Sequence, residues 1–269
     1  MRISAELNSS LKAKFSPEGS DLRNLQLQLV EMLREIDTVC QNNNIPYWLS
    51  YGNLLGLVRH GGFIPWDDDL DVAMLREDYE KFLKVAPHCI NDRYAIQCSK
   101  SDKYYFGAYA KFRDKNSIIT ECLHQDKYYK YRGVYVDIFP IEKTHKILAK
   151  ISGRLQNKLV FGVVKHKHER VTLPLYRFLN IVLSSIVYPI FRVFSFVPGA
   201  KYRICYGSGF YETTTIENVL PVKRDIFEGV DCNIPSHPEE VLAERYGDFM
   251  KLPSVNELHI HLSEISVIK

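Results

Sequence analysis

Four aspartates within five positions, Asp67-Asp68-Asp69-Leu70-Asp71, are the densest concentration of reactive groups in this 269-residue chain. The alternation of polar and apolar residues from Asp69 to Met74 predicts a half-buried strand. Residues i and i+2 of a strand share a face, so Asp67, Asp69 and Asp71 can project together. Crowded carboxylates repel one another unless a cation sits between them. Hard divalent ions such as Mg²⁺ take oxygen ligands and bind one or two carboxylates together with substrate phosphates. The competing reading is a solvated acidic turn, but Trp66 and Leu70 flank the cluster, whereas a merely soluble turn would be polar.

Two further features point the same way. Asp137 stands alone among apolar residues in Val134-Tyr135-Val136-Asp137-Ile138-Phe139. A carboxylate buried in such a strand is costly without a partner. A metal shared with Asp69 and Asp71 would supply one, and a buried salt bridge or a hydrogen-bonded structural aspartate is the alternative. Upstream, Gly52-Asn53 opens a short helical pattern, where backbone amides at a helix N-terminus can receive phosphate.

The elements that must hold these residues read as a mixture of helices and strands. Asp21 to Asn44 has Leu22, Leu25, Leu29, Leu33, Ile36 and Cys40 at three- and four-residue steps, an amphipathic helix with Asp21 as its N-cap. Ile45 to Leu49 reads as a strand, Leu54 to His60 as a short helix broken by Gly61-Gly62, and Arg76 to Ala86 as another helix. Tyr94 to Cys98, Tyr105 to Phe112, Ser117 to Cys122 and Gly133 to Phe139 read as strands.

The layout of strand, Gly-polar step, helix and Asp-x-Asp, with a third aspartate on a later strand, resembles the nucleotidyltransferase superfamily. The closer resemblance is to the LicD family, the phosphorylcholine transferases related to fukutin and the fukutin-related protein. It is carried by Tyr51-Gly52-Asn53-Leu54-Leu55-Gly56-Leu57-Val58-Arg59-His60, by Gly62-Phe63-Ile64-Pro65-Trp66-Asp67-Asp68-Asp69-Leu70-Asp71-Val72 and by Arg76-Glu77-Asp78-Tyr79-Glu80-Lys81-Phe82. Val136-Asp137-Ile138-Phe139-Pro140 and, near the end, Tyr246-Gly247-Asp248 and Leu252-Pro253 echo it. Asn53 departs from the Thr or Ser usual in the family.

The resemblance implies an α/β (α+β) fold, a nucleotidyltransferase-like mixed sheet flanked by helices. It implies Mg²⁺ or Mn²⁺ held by Asp69 and Asp71, with Asp137 as third ligand or as base for the acceptor hydroxyl. Asp67 is a further ligand or orients the pair. Gly52 and Asn53 approach the donor phosphates, and Arg59, Lys111 and Arg113 are candidates to neutralise them. The implied reaction moves phosphorylcholine from CDP-choline to a cell-surface glycan precursor, such as a teichoic acid, capsule or lipopolysaccharide sugar, and releases CMP. Donors such as CDP-ribitol or CDP-glycerol, transfer of a nucleotide, and a non-catalytic glycan or nucleotide binder are the alternatives. A choline ammonium favours an aromatic cage, for which Tyr104, Tyr105, Phe106, Tyr109, Tyr128, Tyr129, Tyr131 and Tyr135 are dense enough. His60 is either a substrate contact or a capping, satisfied histidine.

Residues 1–142 are therefore expected to form the catalytic core with its N-terminal helix, 143–205 a basic, apolar helical insertion, and 206–269 a C-terminal part completing the domain. From Lys143 to Arg203 twelve lysines and arginines face one acid, Glu169, while the whole chain carries only +3. Phe178 to Phe191 is almost wholly apolar, but fourteen residues fall short of the roughly 20 a membrane span needs. The segment reads as an interfacial element against anionic headgroups, suited to a lipid-linked acceptor, or as a buried helical subdomain with a basic exterior. Nucleic acid is not expected, because no recognised nucleic-acid module accompanies the charge. The six cysteines form no CxxC, no HExxH is present, and the first fifteen residues have no apolar signal region. Those features predict reduced thiols, no zinc hydrolase and a cytoplasmic chain, with the insertion as its only approach to a membrane.

Overall fold

The computed structural model describes residues 2–121, 125–165, 169–253 and 262–266. Helix α1 (Ala5–Phe15) leads to the long helix α2 (Asp21–Asn42). Ser20 rather than Asp21 caps α2, its hydroxyl accepting from the Arg23 amide at 3.2 Å. The expected apolar stripe is the buried one, and Leu25, Leu29, Leu33 and Ile36 lie in the main core.

Strand β1 (Trp48–Leu49) runs straight into helix α3 (Tyr51–His60), whose end is set by Gly61 in the left-handed region at φ 75°. Strand β2 (Asp71–Leu75) and helix α4 (Arg76–Val85) follow, then strands β3 (Tyr94–Gln97), β4 (Ala110–Asp114) and β5 (Ile118–Glu121). Strand β6 (Tyr135–Thr144) is the longest and leads into helix α5 (Lys146–Lys165). Helix α6 (Glu169–Val182) passes through a π-helical turn, Leu183–Val187, into α7 (Tyr188–Val193). Strand β7 (Lys201–Ile204), a hairpin of β8 (Lys223–Phe227) and β9 (Val230–Ile234), helix α8 (Pro238–Tyr246) and strand β10 (Leu262–Ser266) complete the described elements.

The central sheet has the order β1-β2-β6-β4-β3, with β7 continuing alongside the far half of β6. Only β2 and β6 are parallel, and the sheet's other pairs are antiparallel. The mixed sheet between helices is thus the expected architecture. Strand periodicity divides its two faces. Val72, Met74, Val136 and Ile138 point into the main core under α2, whereas Ala73, Phe139 and Ile141 form a second apolar cluster with Trp48 and Ile204.

Several boundaries differ from the sequence reading: β1 is confined to Trp48–Leu49, α3 begins at Tyr51, and β6 runs on to Thr144. The segment 105–109 precedes β4 instead of belonging to it, and β5 pairs with β10 outside the central sheet. The expected strand over 117–122 ends at Glu121 among the described residues, and Cys122 lies outside them. The apolar run of fourteen residues also proves to be part of a longer helix. From Val171 to Phe196 the chain is helical over 26 residues, long and apolar enough to cross a membrane by length and composition. Pro174 and Pro189 both fall inside this stretch without ending it.

Candidate active site

The site is assembled on one rung of the sheet. Asp71 on β2 is the register partner of Asp137 on β6, and Asp137 is the partner of Lys111 on β4. Three neighbouring strands therefore present two carboxylates and an ammonium side by side, on the face that continues as Ala73 and Phe139. Lys111 Nζ lies 3.3 Å from Asp137 Oδ1 and 3.2 Å from the centre of the Tyr135 ring.

Asp67 and Asp69 reach this rung by another route. Strand β2 begins only at Asp71, so the i, i+2 alternation expected to align all three does not apply to Asp67 and Asp69. A bonded loop delivers them. The Asp67 amide donates to the Ile64 carbonyl, and Gln26 Nε2 donates to the Asp67 carbonyl at 2.9 Å. Asn53 acts as a clamp: its Nδ2 donates to the Asp69 carbonyl at 3.0 Å and its Oδ1 accepts from the Asp71 amide at 2.6 Å. Fully buried in this way, Asn53 holds the aspartate loop in place. An amide that donates and accepts can bridge two backbone groups, a task a hydroxyl does less completely.

Gly52 lies where a side chain would not fit. A Cβ there would come within 2.9 Å of Asp67 Oδ2, so the first turn of α3 abuts the carboxylate because the position is glycine. Tyr51, Gly52, Asp67, Asp69, Asp71, Lys111 and Asp137 all line one cleft of about 420 Å³. Tyr109, Tyr135, Phe139, Phe210, Arg245 and Tyr246 complete its walls.

Electrostatically the cleft is under strain. Burial pushes the Asp71 carboxyl well above its ordinary value, and the neighbouring Asp69, Asp137 and Asp67 push it further while Lys111 opposes them. Asp67 is raised in the same direction, by burial first and then by Asp69 and Asp68. One carboxylate oxygen each from Asp67, Asp68 and Asp69 lies within 4.8 Å of the others. Among the described residues Asp67 Oδ2 is buried and meets no hydrogen-bond donor. A buried acceptor without a donor, amid carboxylates that repel, is the setting a hard cation satisfies. The residues present therefore fit a divalent ion.

The remaining expected residues are placed elsewhere. Arg59 is buried, its Nη1 donating to the carbonyls of Phe249 and Lys251 and its Nε to His60 Nε2. It influences Asp67 only through space, holding that carboxyl lower than it would otherwise be. Arg113 is fully buried, bonded to Gln97 Oε1 and the Gly133 carbonyl at 2.7 Å each and stacked 4.3 Å from the Tyr135 ring centre. It shares the Lys111 face, as the spacing predicts, but sits beyond the cleft. Neither arginine is among the residues lining the cleft. His60 is the satisfied alternative. Its Nδ1 meets Asn8 Oδ1 at 2.9 Å, and burial with nearby Arg59 lowers it to about 3, so it stays neutral.

Arg245 is the cation that sequence reasoning missed. It stacks 4.0 Å from the Tyr51 ring centre at the cleft wall, next to the Tyr246-Gly247-Asp248 echo that was its only signal. Of the eight aromatics considered for a cage, Tyr109 and Tyr135 reach the cleft, and Lys111 and Arg113 already cover Tyr135. Within the cleft the rings gather instead around Phe139, with Tyr109 at 4.5 Å, Tyr51 at 5.5 Å and Phe210 at 5.9 Å between ring centres.

A mixed sheet carrying paired aspartates beside the first turn of α3, with a third aspartate on the adjacent parallel strand, is the arrangement that the nucleotidyltransferase resemblance implies. Residues 44–162 match the family described as LicD/FKTN/FKRP, nucleotidyltransferase domain. Over 89% of this chain and 95% of the relative, it is 27% identical to the lipopolysaccharide cholinephosphotransferase LicD of Haemophilus influenzae. A shorter match, 44% identical over 50 residues, links it to human ribitol 5-phosphate transferase FKRP, covering 19% of this chain and 10% of that protein. It is also 28% identical over 170 residues to mannosyltransferase regulator 4 of Saccharomyces cerevisiae, covering 58% of this chain and 14% of that one. Two of these relatives, LicD and FKRP, are phosphotransferases.

Proposed function

We propose that this enzyme transfers phosphorylcholine from CDP-choline to a glycan precursor of the cell surface, releasing CMP, with a divalent cation held among Asp67, Asp69, Asp71 and Asp137. The carrying observation is the single rung Asp71–Asp137–Lys111 at the floor of an aromatic-walled cleft. Similarity along nearly the whole length of a cholinephosphotransferase supports choline as the head group.

When bound, Mg²⁺ or Mn²⁺ supplies charge neutralisation at the diphosphate, the main requirement of such transfers. Lys111 and Arg245 provide the chain's own positive charge at the cleft and orient the donor phosphates. The first turn of α3, free of a Cβ at Gly52, lets phosphate approach backbone amides. The acceptor hydroxyl oxygen attacks the phosphorus that bears choline. The bond from that phosphorus to the bridging oxygen breaks, and CMP leaves with the electron pair. Asp137 either completes the cation's ligands or takes the hydroxyl proton, and the cation affinity of Asp137→Asn separates these roles. Tyr109, Phe139 and Phe210 offer ring faces to a quaternary ammonium, which carries no hydrogen-bond donor and is recognised by such surfaces.

A phospho-alditol donor is the second reading, favoured by the FKRP match. Purified protein with Mg²⁺ and CDP-choline, CDP-ribitol, CDP-glycerol or CTP decides between them by release of CMP or pyrophosphate. Slow CMP release from CDP-choline alone is expected, lost in Asp71→Ala. Release from CDP-ribitol or CDP-glycerol instead would replace choline as the head group.

A further inference from the structure

The helices between β6 and β7 carry apolar surface that the protein does not cover. In the most apolar window of Val171–Phe196 only 11% of residues are buried. Val171, Leu175, Phe178, Ile186, Ile190 and Val193 recur at helical spacing on the outer side, and Phe196 is 90% exposed. Helix α5 repeats the pattern with Ile147, Ile151 and Leu155 exposed. Immediately before each stands a base, Lys146, Lys150 and Arg154, all exposed. Monomeric proteins rarely leave so long an apolar face in water.

We infer that this helical hairpin docks the enzyme on the surface of an anionic bilayer, its apolar stripe sunk among the headgroups and its basic residues against the lipid charge. The charge pattern identifies the occupant: amphipathic helices that lie in the interface pair bulky apolar residues with Lys and Arg. Spanning is opposed by the fold. The chain leaves the sheet at Thr144 and returns at Lys201, which are register partners, so both ends of the excursion sit on one side. The inner face of the long helix is also bonded at Asn180, Tyr188 and Arg192. Gln156 of α5 donates to Asn180 Oδ1 at 2.7 Å and accepts from the Tyr188 hydroxyl at 2.6 Å, and Arg192 meets Glu142 of β6 at 2.7 Å. A helix of about 39 Å could cross a core of about 30 Å, but only by stripping these bonds into hydrocarbon. It lies flat, with one face on the protein and the other on lipid.

The docking also gives the cleft a direction. A groove lined by Asn157, Val160 and Phe161 of α5 shares Tyr109, Lys111 and Phe210 with the catalytic cleft, so the hairpin and the carboxylates border one continuous path.

Flotation of the full chain with phosphatidylcholine vesicles, with and without phosphatidylglycerol, tests the inference. Co-flotation with the anionic vesicles, weakened by salt and reduced at least tenfold by the Val193→Glu/Phe196→Glu double variant, is expected. Lys150→Glu/Arg154→Glu should lose binding to anionic vesicles while remaining folded by circular dichroism. Absence of co-flotation overturns the inference. So does a stable wild-type dimer that the double variant converts to monomer without any vesicle binding, which would make the face an interface between copies. The double variant should keep wild-type CMP release, so a failure here is distinct from a failure of the donor assignment.

Discussion

Strand β6 carries two buried carboxylate sites a few residues apart, and they are electrostatic opposites. At Glu142 the charge is closed. Arg76 lies at 2.9 Å and Arg192 at 2.7 Å from one oxygen, while the other accepts the Tyr206 amide at 3.1 Å. Although burial acts to raise it, the two guanidiniums hold this carboxyl below its ordinary value. Asp137 meets the single ammonium of Lys111 at 3.3 Å and shares its rung with Asp71, whose carboxyl is driven upward by burial and by Asp69, Asp137 and Asp67, with Lys111 in opposition. The closed site ties α4 and α7 to the sheet. The open one stores unfavourable interactions that a bound cation would relieve. Carboxylate count alone does not distinguish structure from chemistry; the sign of the surrounding charge does.

The sharpest way to break the contrast is to neutralise one member of each site. Asp71→Asn should lower CMP release by about a thousandfold, on the order of 4 kcal/mol of transition-state stabilisation, while leaving the metal-free fold at least as stable as wild type. Glu142→Gln should do the reverse. Breaking a buried pair by removing one partner costs about 3 kcal/mol, visible as a lower Tm, with near-normal turnover per folded molecule. Equal effects of both substitutions on activity would erase the distinction between the sites.

A smaller effect is expected from pH alone. Asp67 and Asp71 have raised values in the folded state, so the stability they leave intact is fully present below the ordinary carboxylate value and is lost as pH rises through the raised one. Glu142 runs the other way: its contribution is present above its ordinary value and is lost only as pH falls through the lowered one. Above the ordinary carboxylate range the open site should therefore make the metal-free protein less stable as pH rises. Asp71→Asn should flatten that slope, and Mg²⁺ should raise Tm more at the alkaline end. Scanning calorimetry in EDTA and in Mg²⁺ measures both, and an unchanged slope in the variant would assign it to other groups.

Much of the site was legible as residue types and little of it as geometry. The spacing of Asp67, Asp69 and Asp71 and the isolated Asp137 mark the residues that meet in the cleft. Yet the alternation argument describes only Asp71, because Asp67 and Asp69 arrive through a loop whose shape depends on Asn53 and Gln26 side chains. Lys111 and Arg113 look alike in sequence, and a shared strand face is all their spacing can give. Which of them meets Asp137 is fixed by the register between β4 and β6, a pairing that lies across the fold. Arg245 and Phe210 enter from a turn-rich region with no periodic signal, so their approach to the cleft is a tertiary fact. The long helix was undercounted for a local reason: the apolar run from Phe178 to Phe191 is bounded by Arg177 and Arg192, but the chain stays helical past both, from Val171 to Phe196.

The excursion from Thr144 to Lys201 begins and ends on the same rung of the sheet. A short turn would join the two ends, and the aspartates, Lys111 and Arg245 all lie outside the excised stretch. Chemistry and address are thus written in separable parts of the chain. A lineage could exchange or re-tune the lipid-facing hairpin, and so move the same reaction to a different surface, without altering a single group that handles phosphate.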